Sequence, residues 1–323
     1  MALTEEGVIA VPGMLSRWVR LANGARAHYM TSGETGPAVI LLHGGIMGSS
    51  GTAGWRFMAP FLGANGFRVY CPDQPGFGLA DTREVYRPRL GTISHVHFIN
   101  DFADALCLEK FHIGGNSMGC INTVHYVTTH PERILSFAII AGRIGDLIDP
   151  SKAITGSYSL TAAMAKYDYT VKAMKDMMES IIYRTEAIGP DLLEMRTQSS
   201  ILQRESLAAM NEGRERQTSD PNLAQALSTK NRFDRLTIPG ICLYGKDDVL
   251  LPVENGYMQE DVLPNVQFFY PGECGHQGQT DQPELFNQAY LEFYRDGKVS
   301  RKTADRAGVS KRRAENPKLV AQA

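Results

Sequence analysis

Short apolar segments that end in glycine or proline alternate with helix-like segments along most of this chain. Four of these apolar segments are PAVILLHGG (37–45), GFRVYCPD (66–73), KFHIGGNS (110–117) and IPGICLYG (238–245). They lack strict apolar-polar alternation, so each predicts a strand that is covered on both faces. Segments 92–107 and 118–131 place their apolar residues at helical spacing. Such alternation predicts an α/β fold with a mostly parallel central sheet and helices on both faces.

The alternation stops between residues 146 and 232, where every pattern is helical. The sequence therefore predicts a helical lid, inserted after the sixth strand, on a core formed by residues 1–145 and 233–296. One lid segment, 169–183, has an apolar face that suits either core packing or an adaptable pocket wall. The face comprises Val171, Met174, Met177, Met178, Ile181 and Ile182.

The last segment, residues 297–323, differs in composition from the rest of the chain. From residue 298 onward it holds eight Lys or Arg and two acids, Asp305 and Glu315, with few large apolar residues. This composition predicts a basic, solvated and mobile tail.

Charge and cysteine content narrow the classes of partner. A net charge of -2 over 323 residues gives no long-range attraction to nucleic acid or anionic membranes, so a small molecule is the expected partner. Five scattered cysteines without a C-x-x-C pair predict neither a disulfide framework nor a zinc site, and we expect no metal or cofactor.

The N-terminus has no signal-peptide pattern and no segment is long enough to span a membrane, so we expect a cytoplasmic protein. A homodimer or higher homo-oligomer is compatible with the sequence.

The motif GNSMG (115–119) fits G-x-S-x-G. Its serine is either one residue of a glycine-rich turn or a nucleophile. Ser117 stands where a predicted buried strand passes into a helix, and a tight turn at such a place lifts the side chain above the sheet. This context favours the nucleophile, which then needs a histidine as base and a carboxylate to orient the histidine.

His276 is the best candidate base, because it lies in the glycine-flanked loop ECGHQGQ after the last strand segment. The other histidines that fall within strand or helix patterns are read as structural. Asp248 in YGKDDVLLP is the preferred acid, since Ser, Asp and His then follow the chain order expected of α/β-hydrolases. Asp247 next to it and Asp146 after an earlier strand are the alternatives.

The segment HGG (43–45) follows a predicted strand and is either a plain turn or one side of an oxyanion hole. In the second interpretation the backbone N–H groups of Gly45 and Met118 are the two donors to a tetrahedral oxyanion.

These segments together resemble the α/β-hydrolase superfamily over about residues 10–296, and most closely the meta-cleavage product hydrolases, which split carbon–carbon bonds. The matching segments are LLHGG, DQPGFGLAD, GNSMG, YGKDDVLLP and CGH. The resemblance implies that Arg196 in the lid holds a substrate carboxylate, and a solvent-facing arginine is the alternative. It also implies that Gly44, Asn116 and Gln277 contact the substrate. Gln277 replaces the tryptophan usual in that family, and Ile46 departs from its glycine-rich HGGGPG loop.

The sequence thus predicts a serine hydrolase with the triad Ser117, Asp248 and His276, acting on a small carboxylate-bearing substrate. Carbon–carbon bond hydrolysis of a 2-hydroxy-6-oxo-dienoate in aromatic degradation is preferred. A carboxylesterase with the same triad is the alternative, and a ligand receptor on a hydrolase scaffold is a more distant one.

Overall fold

The computed structural model describes residues 3–157 and 160–322. These residues form an eight-stranded sheet with the order β1-β2-β4-β3-β5-β6-β7-β8. The strands are β1 Leu15–Arg20, β2 Arg26–Ser32, β3 Ala38–Leu42, β4 Arg68–Pro72, β5 Phe111–Asn116, β6 Ile134–Ile140, β7 Gly240–Leu243 and β8 Val266–Phe269. Strand β2 is antiparallel to both its neighbours, and the other adjacent pairs are parallel.

The α-helices of the described residues connect the strands or follow the last one, and five of them follow β6 and precede β7 along the chain. They are α1 Gly51–Trp55, α2 Met58–Ala64, α3 Thr92–Ala105, α4 Met118–Thr129, α5 Leu160–Lys166, α6 Val171–Glu179, α7 Pro190–Leu202, α8 Arg204–Ser219, α9 Pro221–Ala226, α10 Val253–Val262, α11 Gly278–Asp281, α12 Pro283–Asp296 and α13 Arg301–Arg306. The predicted mostly parallel central sheet, with a helical segment inserted after the sixth strand, is confirmed.

The central strands explain why their segments are continuously apolar. Every residue of β3, β5, β7 and β8 is buried, because helices cover both faces. Strands β3 and β5 are in register, with Leu42 opposite Gly115. Since parallel strands end at the same edge of a sheet, the loops that follow β3, β5, β7 and β8 meet there.

Strand β1 carries no buried-strand pattern. None of its six residues is buried, and Leu15 is 53% exposed. It is an edge strand whose one partner among the named strands is β2. Four of its six side chains are exposed and those of Ser16 and Val19 are half-buried, so its sequence, LSRWVR, shows no continuous apolar segment. With β1 included, Ile134–Ile140 is the sixth strand, after which the lid was expected.

Along the chain, helices α5 to α9 follow β6 and precede β7, in the segment for which the sequence predicts a lid. The predicted apolar face is buried except for Val171, the first residue of α6, which is exposed. The division into a core of residues 1–145 and 233–296 and a lid of residues 146–232 remains our proposal. The structure does not describe residues 1–2 of this core, residues 158–159 of this lid or residue 323 of the predicted tail.

The prediction of a solvated tail over residues 297–323 is wrong for the described residues 297–322. Small apolar side chains of this segment enter the main core: Val299, Ala304, Ala307, Val309, Leu319 and Val320. Backbone bridges join Phe269 to Val309 and Val299 to Val320. Acidic partners offset the basic charge, since Arg301 donates to Glu315 at 2.9 Å and Arg312 to Asp261 at 3.0 Å.

Candidate active site

Ser117 is the single residue between β5 and α4, and its backbone is strained. Its φ of 56° and ψ of -114° lie in a region that residues with a side chain rarely adopt. The flanking glycines make the turn possible, because a Cβ on Gly115 would lie 2.2 Å from the carbonyl oxygen of Gly119. The Ser117 N–H donates to the carbonyl of Ile140 at 2.9 Å. The result is a sharp turn with a partly exposed serine at the start of a helix.

His276 and Asp248 form a buried pair at the same edge of the sheet. Nδ1 of His276 lies 2.8 Å from Oδ2 of Asp248, and the two residues are 1% and 4% exposed. The other carboxylate oxygen of Asp248 accepts the N–H groups of Leu250 and Leu251 at 2.9 and 2.8 Å. A carboxylate fixed in this way keeps the proton of the imidazole on Nδ1. Nε2 of His276 is buried and has no hydrogen-bond partner among the described residues, so it can accept a proton.

The two alternative carboxylates are engaged elsewhere. Asp247 is exposed and its Oδ2 accepts the N–H of Cys274 at 3.2 Å. Asp146 binds the lid end, accepting from Ser228 Oγ at 2.7 Å and from the N–H of Thr229 at 2.7 Å. Burial raises the pKa of Asp146, but the hydrogen bonds to the lid have the larger combined effect and lower the pKa to about 2. The structure therefore brings Asp248 to His276 and leaves Asp247 and Asp146 apart from it.

The loop after β3 lies against the serine turn. A Cβ on Gly44 would lie 3.4 Å from the Cβ of Ser117, and one on Gly45 would lie 2.9 Å from the Cβ of Met118. Met118 is the first residue of α4, so its N–H has no acceptor within the helix. Gly45 and Met118, the two predicted oxyanion donors, are thus neighbours.

Arg196 on α7 is 2% exposed, so it is not a solvent-facing arginine. Its Nη2 donates to the carbonyl of Met47 and to Ser49 Oγ, both at 3.2 Å. Its Nε is buried without an acceptor, and no ion pair to a carboxylate is found for it among the described residues. Burial lowers the pKa of Arg196 to about 9, and the charge of Arg56 lowers it too. A buried guanidinium of this kind is short of an anionic partner.

Asn116 and Gln277, two other predicted substrate contacts, directly precede Ser117 and directly follow His276. The amide nitrogen of Asn116 donates to the carbonyl of His276 at 2.9 Å. This contact fixes the turn that carries Ser117 to the loop that carries His276. Gln277 is buried directly after His276, and its carbonyl accepts the N–H groups of Thr280 and Asp281.

Apolar side chains from the lid pack in one cluster with Met118 and with core residues from the loops after β3 and β4. We call this group the lid cluster; its buried members are Ile46, Met47, Phe77, Met118, Tyr167, Met174, Met177, Met178, Ile181, Ile182, Leu193, Leu207 and Met210. Methionine adapts its shape to an apolar ligand more readily than branched residues do. The lid cluster thus places adaptable apolar side chains beside Met118, the residue that follows Ser117.

Comparison with known proteins identifies the family. Residues 37–283 match the family model of the alpha/beta hydrolase fold. The chain is an α/β-hydrolase. A 2-hydroxy-6-oxononadienedioate/2-hydroxy-6-oxononatrienedioate hydrolase from Paraburkholderia phymatum is 28% identical over 285 residues, which cover 86% of this chain and 95% of that protein. A protein of the same name, numbered 1, from Pseudomonas putida is 27% identical over 289 residues, covering 86% and 96%.

Solved structures give the same result for this α/β-hydrolase. A mutant meta-cleavage product hydrolase from Pseudomonas fluorescens IP01, complexed with acetates, superposes with a TM-score of 0.73 at 25% identity, covering 87% of this chain and 98% of that one. The resemblance to meta-cleavage product hydrolases that the sequence motifs indicate is confirmed.

Sequence reasoning missed two residues that shape the site of this α/β-hydrolase. His43 is buried, and burial lowers its pKa to about 4, so the neutral ring donates from Nδ1 to the carbonyl of Gly44 at 2.7 Å. Its Nε2 accepts the N–H of Gln74 at 3.0 Å, which fixes the loop that carries Gly45. Asp281 accepts backbone N–H groups from the lid and from the loop of His276. The HGG motif could have pointed to His43, whereas no motif marks Asp281.

Every helix in the described part of this α/β-hydrolase is too short or too polar to span a bilayer. No group of three or more His, Cys, Asp or Glu in that part of the chain is arranged to hold a metal ion.

Proposed function

We propose that this α/β-hydrolase uses Ser117 to hydrolyse a carbon–carbon bond in a meta-ring-fission product of the 2-hydroxy-6-oxo-dienoate type, in aromatic degradation. His276 is the general base and Asp248 orients it. The N–H groups of Gly45 and Met118 stabilise the oxyanion. The groups assigned to substrate binding are Gly44, Asn116, Arg196 and Gln277.

The observation that carries the substrate class is the buried Arg196. A planar guanidinium binds a carboxylate through two parallel hydrogen bonds, and the pair is strongest where water is excluded. Nη2 of Arg196 contacts the loop that follows Gly45, so a carboxylate at this arginine would lie near the serine turn. Relatives at 26–28% identity are named for dienedioate substrates, which carry carboxylates. Both facts favour an anionic substrate.

The chemistry begins with the substrate under the lid cluster and its carboxylate on Arg196. The dienol is first converted to the ketone, because the departing carbon then releases its electron pair into the conjugated oxo group. His276 assists this proton movement. It next takes the proton of Ser117 while the serine oxygen bonds to the remote carbonyl carbon.

The tetrahedral oxyanion so formed is stabilised by the two backbone donors. Its collapse breaks the carbon–carbon bond, and His276 returns its proton to the dienoate product. Water, deprotonated by His276, then hydrolyses the acyl-Ser117 ester. Asp248 stabilises the charged imidazole in each half of the cycle, and its two backbone hydrogen bonds keep it in place for that role.

The test mixes the protein with a yellow 2-hydroxy-6-oxo-dienoate and, separately, with a p-nitrophenyl ester, and follows both absorbances. Rapid bleaching of the dienoate with slower ester hydrolysis supports the proposal. Rapid ester hydrolysis without bleaching would replace it with a carboxylesterase. Ser117→Ala should abolish both reactions, and activity that survives this change would remove Ser117 from the mechanism.

A further inference from the structure

The lid touches the loop of His276 through one short segment that follows α6. We call residues 181–184 the lid strap and residues 272–277 the histidine loop. The N–H of His276 donates to the carbonyl of Ile181 at 3.1 Å. A Cβ on Gly275 would lie 2.9 Å from the same carbonyl oxygen, so the two backbones are closely packed. The backbone that carries the candidate base is thus in direct contact with the lid.

Asp281 joins the same two segments with a single carboxylate. It is 5% exposed at the end of α11. Its Oδ1 accepts the N–H of Arg184 in the lid strap at 2.9 Å, and its Oδ2 accepts the N–H of Gly275 in the histidine loop at 2.8 Å. Two rigid oxygens on one carbon therefore fix the distance between the strap and the residue before His276.

Asp281 remains an anion at neutral pH, and so a strong acceptor, although its surroundings raise its pKa. Burial raises the pKa of Asp281 to about 6, against the lowering effect of N–H groups from Arg184, Gly275 and Tyr183. The charged or titratable groups that act on it are Arg184 from the strap and the buried thiol of Cys274 from the histidine loop. Above this pKa the group is an anion, and hydrogen bonds to a carboxylate are stronger than those to a neutral acid.

We propose that Asp281 is a positioning residue that couples the lid strap to the histidine loop, so that closure of the lid and alignment of His276 are one event. The proposal rests on His276 acting as the base, as stated under Proposed function, and does not depend on which bond is cleaved. A displacement of about 1 Å of a catalytic group is enough to reduce turnover about 100-fold. The carboxylate prevents such displacement while the strap is in place.

Two variants remove the connection from opposite ends. Asp281→Asn keeps the shape but replaces one acceptor oxygen with an NH₂ group that faces an N–H donor. Arg184→Pro deletes the N–H that binds Asp281 and leaves the carboxylate intact, and the φ of -88° at this position has to shift by only about 20° to reach the value that proline prefers. Arg184→Ala is the matched control, because it removes the same side chain and keeps the N–H.

Steady-state kinetics are measured with the p-nitrophenyl ester and with the dienoate. For Asp281→Asn and Arg184→Pro we expect kcat to fall about 10- to 100-fold with a change in KM below about threefold. Arg184→Ala should retain kcat. Asp146→Asn, which loosens the other end of the lid without touching the histidine loop, should also retain kcat. Wild-type kcat in both Asp281→Asn and Arg184→Pro, or an equal loss in Arg184→Ala, would overturn the proposal.

Amide hydrogen exchange of the whole protein gives a second readout that needs no activity. In Arg184→Pro the amides of Gly275 and His276 should exchange faster, although neither residue is altered, while the amides of α4 keep their protection. Unchanged exchange in the histidine loop would contradict the coupling. If Asp281→Asn does not fold, Arg184→Pro and Arg184→Ala still decide between the outcomes. Absence of dienoate bleaching in the wild-type protein would refute carbon–carbon cleavage alone, since the ester and the exchange data judge Asp281 separately.

Discussion

Replacement of Arg196 by methionine should make the free protein more stable and the enzyme much less active. The pKa of Arg196 falls from 12.5 to about 9, mainly through burial. At about 1.4 kcal/mol for each pKa unit, keeping this buried group charged costs the folded state about 5 kcal/mol. The folded pKa is below the unfolded one, so this cost applies in full at pH values below about 9 and declines as the pH rises above that value.

Methionine removes the buried charge and leaves a side chain of similar length. It also removes the two hydrogen bonds to Met47 and Ser49. Each acceptor left without a donor lowers the free energy of unfolding by about 1 kcal/mol. The expected net gain in the free energy of unfolding is about 1–3 kcal/mol. Loss of the pair between guanidinium and substrate carboxylate costs about 2 kcal/mol or more, so kcat/KM should fall at least about 30-fold.

Urea unfolding at pH 7.5 of wild type, Arg196→Met and the exposed control Arg216→Met measures the first effect. The dienoate assay measures the second. We expect Arg216→Met to match wild type in both. A loss of more than about 1 kcal/mol of stability in Arg196→Met would show that the protein itself compensates this charge, and the argument for an anionic substrate would then fail.

Three further changes test other parts of the description. Asp248→Asn should lower kcat about 10⁴-fold in the ester assay with little change in melting temperature, because His276 loses its tautomer and its charge partner; a loss below tenfold would argue against this triad. Gly45→Ala places a Cβ against the first residue of α4 and should lower kcat about 100-fold with KM nearly unchanged; an unaltered kcat would remove this donor. Glu260→Gln weakens the buried acceptor of Ser310 Oγ and should lower the free energy of unfolding, measured in urea, by about 1–3 kcal/mol. An unchanged urea midpoint would show that this contact does not stabilise the C-terminal segment.

The buried strands and the serine turn could be predicted because local sequence encodes them. Strands such as β3 and β5 are covered on both faces, so their sequences are continuous segments without charged residues. The GNSMG turn needs glycine two positions before and two positions after Ser117, where neighbouring backbone leaves no room for a Cβ. The loops after parallel strands meet at one edge, so the chain order of candidate residues already implied that they could lie together.

Other features depend on contacts that no local pattern records. The C-terminal segment buries isolated small residues between basic ones, and its composition resembles that of a mobile tail until Glu260 and Asp261 are seen opposite it. Asn116 was expected to contact substrate, but its link to the carbonyl of His276 spans 160 positions in sequence. Asp281 lies in no recognisable motif, and its role becomes visible only when the strap is folded against it.

The C-terminal segment also determines how the sheet can be extended. Its backbone at Val309 bridges Phe269 of β8, with Tyr270 N–H donating to Gly308 and Ser310 N–H to Phe268. That margin of the sheet is already hydrogen-bonded within the molecule, which protects it from strand addition by a second copy. Joining two sheets into one across subunits would have to start from the opposite margin, at β1, where Leu15 and Trp18 face solvent.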